Sequence, residues 1–535
     1  MLLIFFLLVF PLFLFLIIHK QRNYADKSNL LPPGPHGLPL IGNLHQLDNS
    51  TLHVYLWQLS QKYGSLISLR LGLRKAIVVS SAKMAKEVLK THDIDFCSRP
   101  ALLGQQKLSY DGLDLAFSPF DSYNKEIRKI SSLHLFSPNR AKLFRPIRED
   151  EVSQMIDKVS KSCDASKPIN LSEVMVYLTS SIICRVGFGK RCVDKGSEIS
   201  KFNRILSENE VMLSKFFVCD YFPSMRWVDR LTGGLSRLEN VVKELDAFYR
   251  QLIDDHLDPK RQKPEQEDII DVFLKIMKDP QSTSHISFDH IKAILMNVFV
   301  AGTDTSAAAV VWAMTFLMKY PATMKKAQEE VRNFAGKKRF LDEDEIQDLP
   351  YLKAVVKETF IIGMAALVEA GEVMVVEDSL AIDSARLRKS SDTTNRLQSV
   401  VPLLLPRETL RDCNIGGYKI PAKTLVYVNA WAIGRDTEAW GQNSEDFCPE
   451  RFMDSSIDYK GQDFGLIPFG SGRRICPGMH MGAATVELAL ANLLYRFDWK
   501  MPPGMKEEDL DFDIAPGLVI HKRNHLFLMA TEYRS

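Results

Sequence analysis

The sequence predicts a mostly helical fold with a small β portion, and two observations carry that expectation. Helical periodicity dominates from about residue 40 onward. Short β-like segments gather towards the two ends, at 66–71 and 76–80, at 418–420 and 424–429, and around 525–529. No internal repeat is visible. Of the 535 residues, 46% are apolar and 25% charged, an ordinary globular balance that excludes disordered, collagen-like and coiled-coil chains. Length alone suggests several domains, but one large core suits the pattern as well. A net charge of +2 is too even to argue for nucleic acid as a partner. The cysteines Cys97, Cys163, Cys184, Cys192, Cys219, Cys413, Cys448 and Cys476 form no CxxC pair. They are expected to be reduced thiols in the cytosol, not a disulfide framework or a zinc knuckle.

Residues Met1 to Ile18 are apolar and uncharged, and His19, Lys20 and Arg22 follow directly. At about 1.5 Å per helical residue the run reaches roughly 27 Å, enough for an endoplasmic reticulum bilayer. Positive charge after the run, not before it, favours a retained single-pass anchor over a cleaved signal and leaves the body in the cytosol. Residues 1–19 are therefore the expected anchor. In the next stretch, Leu31 to Pro39, four prolines preclude a regular helix and stiffen the backbone, so 20–39 is a hinge. The body is 40–535.

The sharpest local signal is the run from Pro468 to Gly478, followed by the apolar helical stretch Met481 to Tyr495. Its glycines let the backbone wrap closely round Cys476, and the helix start aims N–H groups at the sulfur, an arrangement suited to a thiolate. Arg474, two residues before the cysteine, suits an anionic cofactor edge. A second signal lies inside the long helical stretch from Ser287 to Tyr320, which starts at a candidate N-cap and stops before Pro321. There Ala301-Gly302-Thr303-Asp304-Thr305-Ser306 is a polar cluster in an apolar run, costly in a buried helix unless it has partners or a task.

Phe469, Gly472, Arg474, Cys476 and Gly478 spell FxxGxRxCxG, Ala301 to Thr305 spell AGxDT, and Pro449 to Phe452 spell PERF. With the proline hinge, these motifs resemble the cytochrome P-450 superfamily of haem-thiolate monooxygenases, and among them the plant microsomal members of specialised metabolism. The resemblance implies haem b (iron protoporphyrin IX) between a long distal helix and a proximal cysteine loop. Cys476 would be the axial iron ligand, the thiolate favouring O–O cleavage. Phe469 would pack on the sulfur side, and Arg474, Arg128 and Arg407 would pair with propionates. Ala301 and Gly302 would leave room for substrate and dioxygen, with Thr305 and Asp304 relaying protons. Asn124 stands where the family often has tryptophan, four residues before Arg128. Electrons would come from NADPH through a separate NADPH–cytochrome P-450 reductase, since no GxGxxG loop or flavin domain is visible; Lys125 and Lys129 are candidates for its docking.

One scaffold motif is interrupted. Arg451 should join the glutamate and arginine of an ExxR helix in a buried ion network, yet Glu358-Thr359-Phe360 is followed by Ile361. Removing 361–395 would restore Glu358-Thr359-Phe360-Arg396 and keep the later motifs in frame. The segment is read as an insertion at a splice boundary, with a tolerated loop as the alternative. Substrate contacts are expected from Pro100 to Phe120, Asn209 to Phe222, the distal helix, Val400 to Leu404 and Gly517 to Val519. These are mostly apolar and suit a small hydrophobic or aromatic metabolite. The rival readings are a haem-thiolate isomerase or dehydratase, and a non-catalytic chain disabled by 361–395.

Overall fold

The computed structural model describes residues 31–533 except 48–50, 166, 192–195, 263, 265, 281–285, 363–399 and 516. The expected anchor, most of the hinge, nearly all of 361–395 and Arg396 lie outside the described residues. The strands are β1 (Leu66–Leu71), β2 (Arg74–Val79), β3 (Ile169–Asn170), β4 (Arg407–Glu408), β5 (Cys413–Ile415), β6 (Tyr418–Ile420), β7 (Leu425–Val428), β8 (Phe497–Lys500), β9 (Ile514–Ala515), β10 (His521–Lys522) and β11 (Phe527–Glu532). The main sheet runs β1-β2-β7-β4. Its central pair, β2 and β7, is parallel, with Ala76 opposite Leu425 and Val79 opposite Val428. Both strands are largely buried, as parallel strands covered on two faces should be, and their β-branched residues fill that place. The expectation of a sheet drawn from both ends of the chain holds. What remains of the hinge is pinned to it, since the Ser68 hydroxyl donates to the Pro32 carbonyl at 2.6 Å.

The helices that position the cavity are α1 (Ser122–His134), α2 (Leu171–Phe188), α3 (Gly196–Ser214), α4 (Phe288–Lys319), α5 (Pro350–Ile362) and α6 (Met479–Arg496). The longest, α4, starts after Ser287 and ends before Pro321, which opens the next helix at a position that needs no N–H. It is apolar on nearly every side because it runs through the core, against α2 on one flank and α6 on another. Two described helices, α2 and α4, are apolar enough to span a bilayer, but 67% and 78% of their most apolar stretches are buried inside the fold. The α2–α4 approach requires Gly302, where a Cβ would lie 2.4 Å from Ile183 Cδ1. Cys184 on α2 is disulfide-bonded, which corrects the expectation of reduced thiols throughout; Cys97, Cys163, Cys219, Cys413, Cys448 and Cys476 are free. Cys184 is the one cysteine of α2 and belongs to no CxxC pair, so spacing did not disclose it.

Trp312 locks α4 to the C-terminal loop. It is fully buried, and its indole N–H donates to the Ile520 carbonyl at 3.1 Å. Trp312→Ala should lower stability by about 3–5 kcal/mol through cavity formation and a carbonyl left unpaired, read as a lower urea midpoint.

Candidate functional site

The cysteine loop is folded by its own backbone. Gly470 and Gly472 adopt φ of 69° and 70°, and a Cβ on Gly472 would come within 2.4 Å of the Leu89 carbonyl oxygen, so glycine is required there. The Cys476 N–H donates to the Phe469 carbonyl at 2.9 Å, closing the turn. Phe469 is fixed edge-on against Phe360 and Tyr459, each 5.5 Å between centroids. Burial pushes the Cys476 thiol up, while the Gly478 N–H and Arg128 pull it down. A bound metal cation beside the sulfur would favour the thiolate expected from the sequence.

Cys476 and Thr305 face one cavity of about 320 Å³, between the cysteine loop and α4. Four guanidinium groups occupy its wall. Arg128, on α1, donates to the Ile475 carbonyl at 2.7 Å, and Arg474 donates to the carbonyls of Cys97 at 2.6 Å and Ser118 at 2.7 Å. Arg407, on β4, donates to the Ser471 carbonyl at 3.0 Å and lies 3.5 Å from Asp93. The fourth, Arg99, was not expected from the sequence; it is bound to the Ala116 carbonyl at 2.8 Å and the Pro406 carbonyl at 2.7 Å. Burial and mutual repulsion lower the guanidinium pKa values, Arg407 and Arg474 to about 10. Nη1 of Arg407 and Nη1 of Arg474 are buried with no hydrogen-bond partner among the described residues. These orphaned donors, beside a cysteine aimed into the same space, fit a flat group that carries two carboxylates and a metal able to take a thiolate ligand, as haem b does. Asn124, in the place of the usual tryptophan, is buried and donates to the Ser118 hydroxyl, steadying the residue whose carbonyl Arg474 binds.

On the opposite wall, Ala301, Gly302 and Thr305 line the cavity, and the Thr305 hydroxyl donates to the Ala301 carbonyl. Gly302 does more than leave room, because Ile183 packs where its side chain would be. Asp304 is absent from the cavity lining and its carboxylate is paired with His521, 3.4 Å away. All five expected substrate-contact regions reach the cavity, through Leu115, Leu213, Val300, Val400 and Leu518 among others. The sequence did not single out Asn297. Its side-chain oxygen accepts from Leu115 N–H at 2.8 Å and its amide donates to Asp114 at 2.8 Å, tying the loop over the cavity to α4. Asp114 is pushed up to about 6, mainly by burial.

Behind the cysteine loop, Glu358 is fully buried. Its Oε1 accepts from the Cys448 N–H at 2.9 Å, and Oε2 lies 3.2 Å from Arg451 Nε without a formed hydrogen bond. Arg451 spends its donors on the Asn443 and Asp446 carbonyls. Ile361, one turn on from Glu358, is helical and buried in the place an arginine should hold. Burial, only partly offset by Arg451, pushes Glu358 up to about 8.

A protein-family model described as Cytochrome P-450 matches residues 32–361 and 394–529. The chain is 47% identical to "5-OH-xanthotoxin synthase" of Pastinaca sativa, over 99% of this chain and 98% of that one. It is 46% identical to "6,7,8-trihydroxycoumarin synthase" of the same plant, over 98% and 99%. It is 44% identical to "Xanthotoxol synthase", also of Pastinaca sativa, over 97% and 96%. A solved zebrafish cytochrome P-450 structure with progesterone superposes with a TM-score of 0.71 at 24% identity, covering 90% of this chain and 99% of that one, and shows the same fold.

The Glu358 geometry generates a pH prediction. Its folded pKa of about 8 lies above the ordinary 4.5, so the stability it contributes is complete below about 4.5 and is lost as pH rises towards 8. Glu358→Gln should remove that slope. Thermal melts should show the variant gaining on wild type by up to about 1.4 kcal/mol per pH unit between pH 5 and 8. At the cavity, Asn297→Ala should free the loop at Leu115 and raise its amide hydrogen exchange, at a cost of about 1–3 kcal/mol from the buried Asp114 left under-bonded.

Proposed function

Because the chain belongs to the cytochrome P-450 family and is a haem-dependent monooxygenase, we propose that it inserts one atom of O2 into a small aromatic metabolite of the coumarin class. Cys476 and Thr305 facing one apolar cavity is the observation that carries this reading. The coumarin-named relatives support the substrate class. Bound haem supplies dioxygen reduction and oxygen insertion at the thiolate-ligated iron.

The chain's own residues do the rest. Cys476 would hold the haem iron through its sulfur, and the orphaned donors of Arg407 and Arg474, with Arg99 and Arg128 beside them, would hold the two carboxylates. Phe469, wedged between Phe360 and Tyr459, keeps water from the sulfur. The aliphatic and aromatic lining binds a flat apolar substrate by excluding water. Thr305 presents a hydroxyl to the cavity, and Asp304, next to it, pairs its carboxylate with His521. Electrons arrive from NADPH through a separate reductase, and Lys125 and Lys129 offer positive charge for an acidic partner. The anchor at 1–19 holds the body on the cytosolic face of the endoplasmic reticulum membrane.

Residues 361–395 are an inserted segment arising at a splice boundary. Two observations support this: the family match breaks after 361 and resumes at 394, and buried Glu358 lacks a partner for Oε2. The same two observations favour a second reading, a chain whose haem loading is impaired. A reduced carbon-monoxide difference spectrum of the full chain, beside a variant lacking 361–395, tests both. The thiolate-type Soret band should be strong in the shorter chain and weak in the full one; equal bands would overturn the insertion reading. Cys476→Ser should abolish the band in either. In the loaded shorter chain, xanthotoxin should shift the Soret band towards high spin and progesterone should not.

A further inference from the structure

Asp304 is held between two elements that pack on α4 from different sides of the sequence, α3 and β10. From α3 comes Glu210, and from β10 comes His521. One oxygen of Glu210, one of Asp304 and a ring nitrogen of His521 all lie within 4.8 Å of one another, with His521 Nε2 at 3.4 Å from Asp304 Oδ2. Asp304 is buried, whereas about a third of the His521 side chain reaches solvent. Glu210 is largely enclosed, and its Oε1 has no hydrogen-bond donor among the described residues.

Two carboxyl groups this close, in a site this dry, cannot both ionise without strong repulsion. A single proton shared between them removes it, and the imidazole then faces the remaining charge. Burial and the neighbouring Asp304 push Glu210 up to about 10, while hydrogen bonds from His521 and Glu210 hold Asp304 below its ordinary range despite its burial. The charged groups acting on the pair are each other and His521; Lys522 is turned to Asp511 at 2.7 Å and Arg523 to the Ile514 carbonyl.

We propose that Glu210 and His521 are positioning residues for proton delivery, acting through Asp304: Glu210 holds the shared proton, and His521 refills the pair from solvent. This rests on the reading of Asp304 and Thr305 as the proton route into the cavity. The direction of flow follows from exposure. A proton from solvent enters at the exposed His521 imidazole and passes to Asp304 Oδ2 at 3.4 Å, while the O–H of Glu210 stays hydrogen-bonded to Asp304 as the Asp304 proton moves inward. Each proton leaving towards Thr305 is thus replaced by one from bulk water, and no other group changes charge. The arrangement joins three stretches of chain, residues 210, 304 and 521, that no local motif links.

The test uses the haem-loaded, reductase-supplied protein with the coumarin that gives the high-spin shift, comparing wild type with Glu210→Gln, Glu210→Asp and His521→Gln. Glu210→Gln and His521→Gln should raise the share of NADPH electrons lost as hydrogen peroxide severalfold and enlarge the solvent deuterium effect on product formation. Glu210→Asp should restore most of the coupling, and turnover driven by added hydrogen peroxide should be unchanged in all. Unchanged peroxide release and solvent effect in Glu210→Gln would overturn the proposal. An independent readout needs no turnover: the infrared carboxylic-acid band of wild type at pH 8 should lose intensity in Glu210→Gln, and its persistence at full strength would equally overturn it. Failure of the carbon-monoxide band would strike the functional reading, whereas the infrared result still decides the pair.

Discussion

Four guanidinium groups share one wall of an enclosed cavity, and much of the architecture serves to keep them there. Arg99, Arg128, Arg407 and Arg474 come from a loop, a helix, a strand and the cysteine loop, so their convergence ties the N-terminal and C-terminal parts together. Left to themselves they repel, and burial first, with that repulsion added, lowers the pKa values of Arg99, Arg407 and Arg474. Backbone carbonyls quench part of each charge, but two donors remain unspent. A dianionic guest therefore stabilises the folded state by mass action, and the empty fold is the less stable partner of the equilibrium. The same holds for the sulfur, whose pKa burial pushes up and a metal cation would pull down.

The opposite face of the loop shows the converse case, a buried carboxyl short of cationic partners among the described residues. Glu358 sits in the core with one backbone donor and an ill-aligned Arg451. A carboxylate so placed costs more than its single ion pair returns. Burial, which Arg451 only partly offsets, gives it a preference for the neutral form.

The readable part of the site was the part written in consecutive residues. The turn around Cys476 needs glycine at fixed steps, and α4 needs small polar residues in one turn, so both leave local patterns. Helix ends at Ser287 and Pro321 were legible for the same reason. Arg99, Asp114 and Asn297 were not, because each is an unremarkable polar residue until distant backbone comes within 3 Å of it. Asp304 was legible as a candidate residue of the AGxDT motif but not in its surroundings, where it meets Glu210 and His521. The disulfide at Cys184 left no spacing signal either.

The parallel pairing of β2 with β7 also sets a timetable. Ribosomes add roughly 5–20 residues per second, so the N-terminal hairpin emerges some tens of seconds before the strand that completes its sheet. Throughout that interval β2 presents an unpaired, largely apolar edge. Early synthesis is therefore the period in which this chain is most open to mispairing with its neighbours on a polysome, and a chaperone that shields residues 74–79 during it would raise the yield of native protein without touching the final fold.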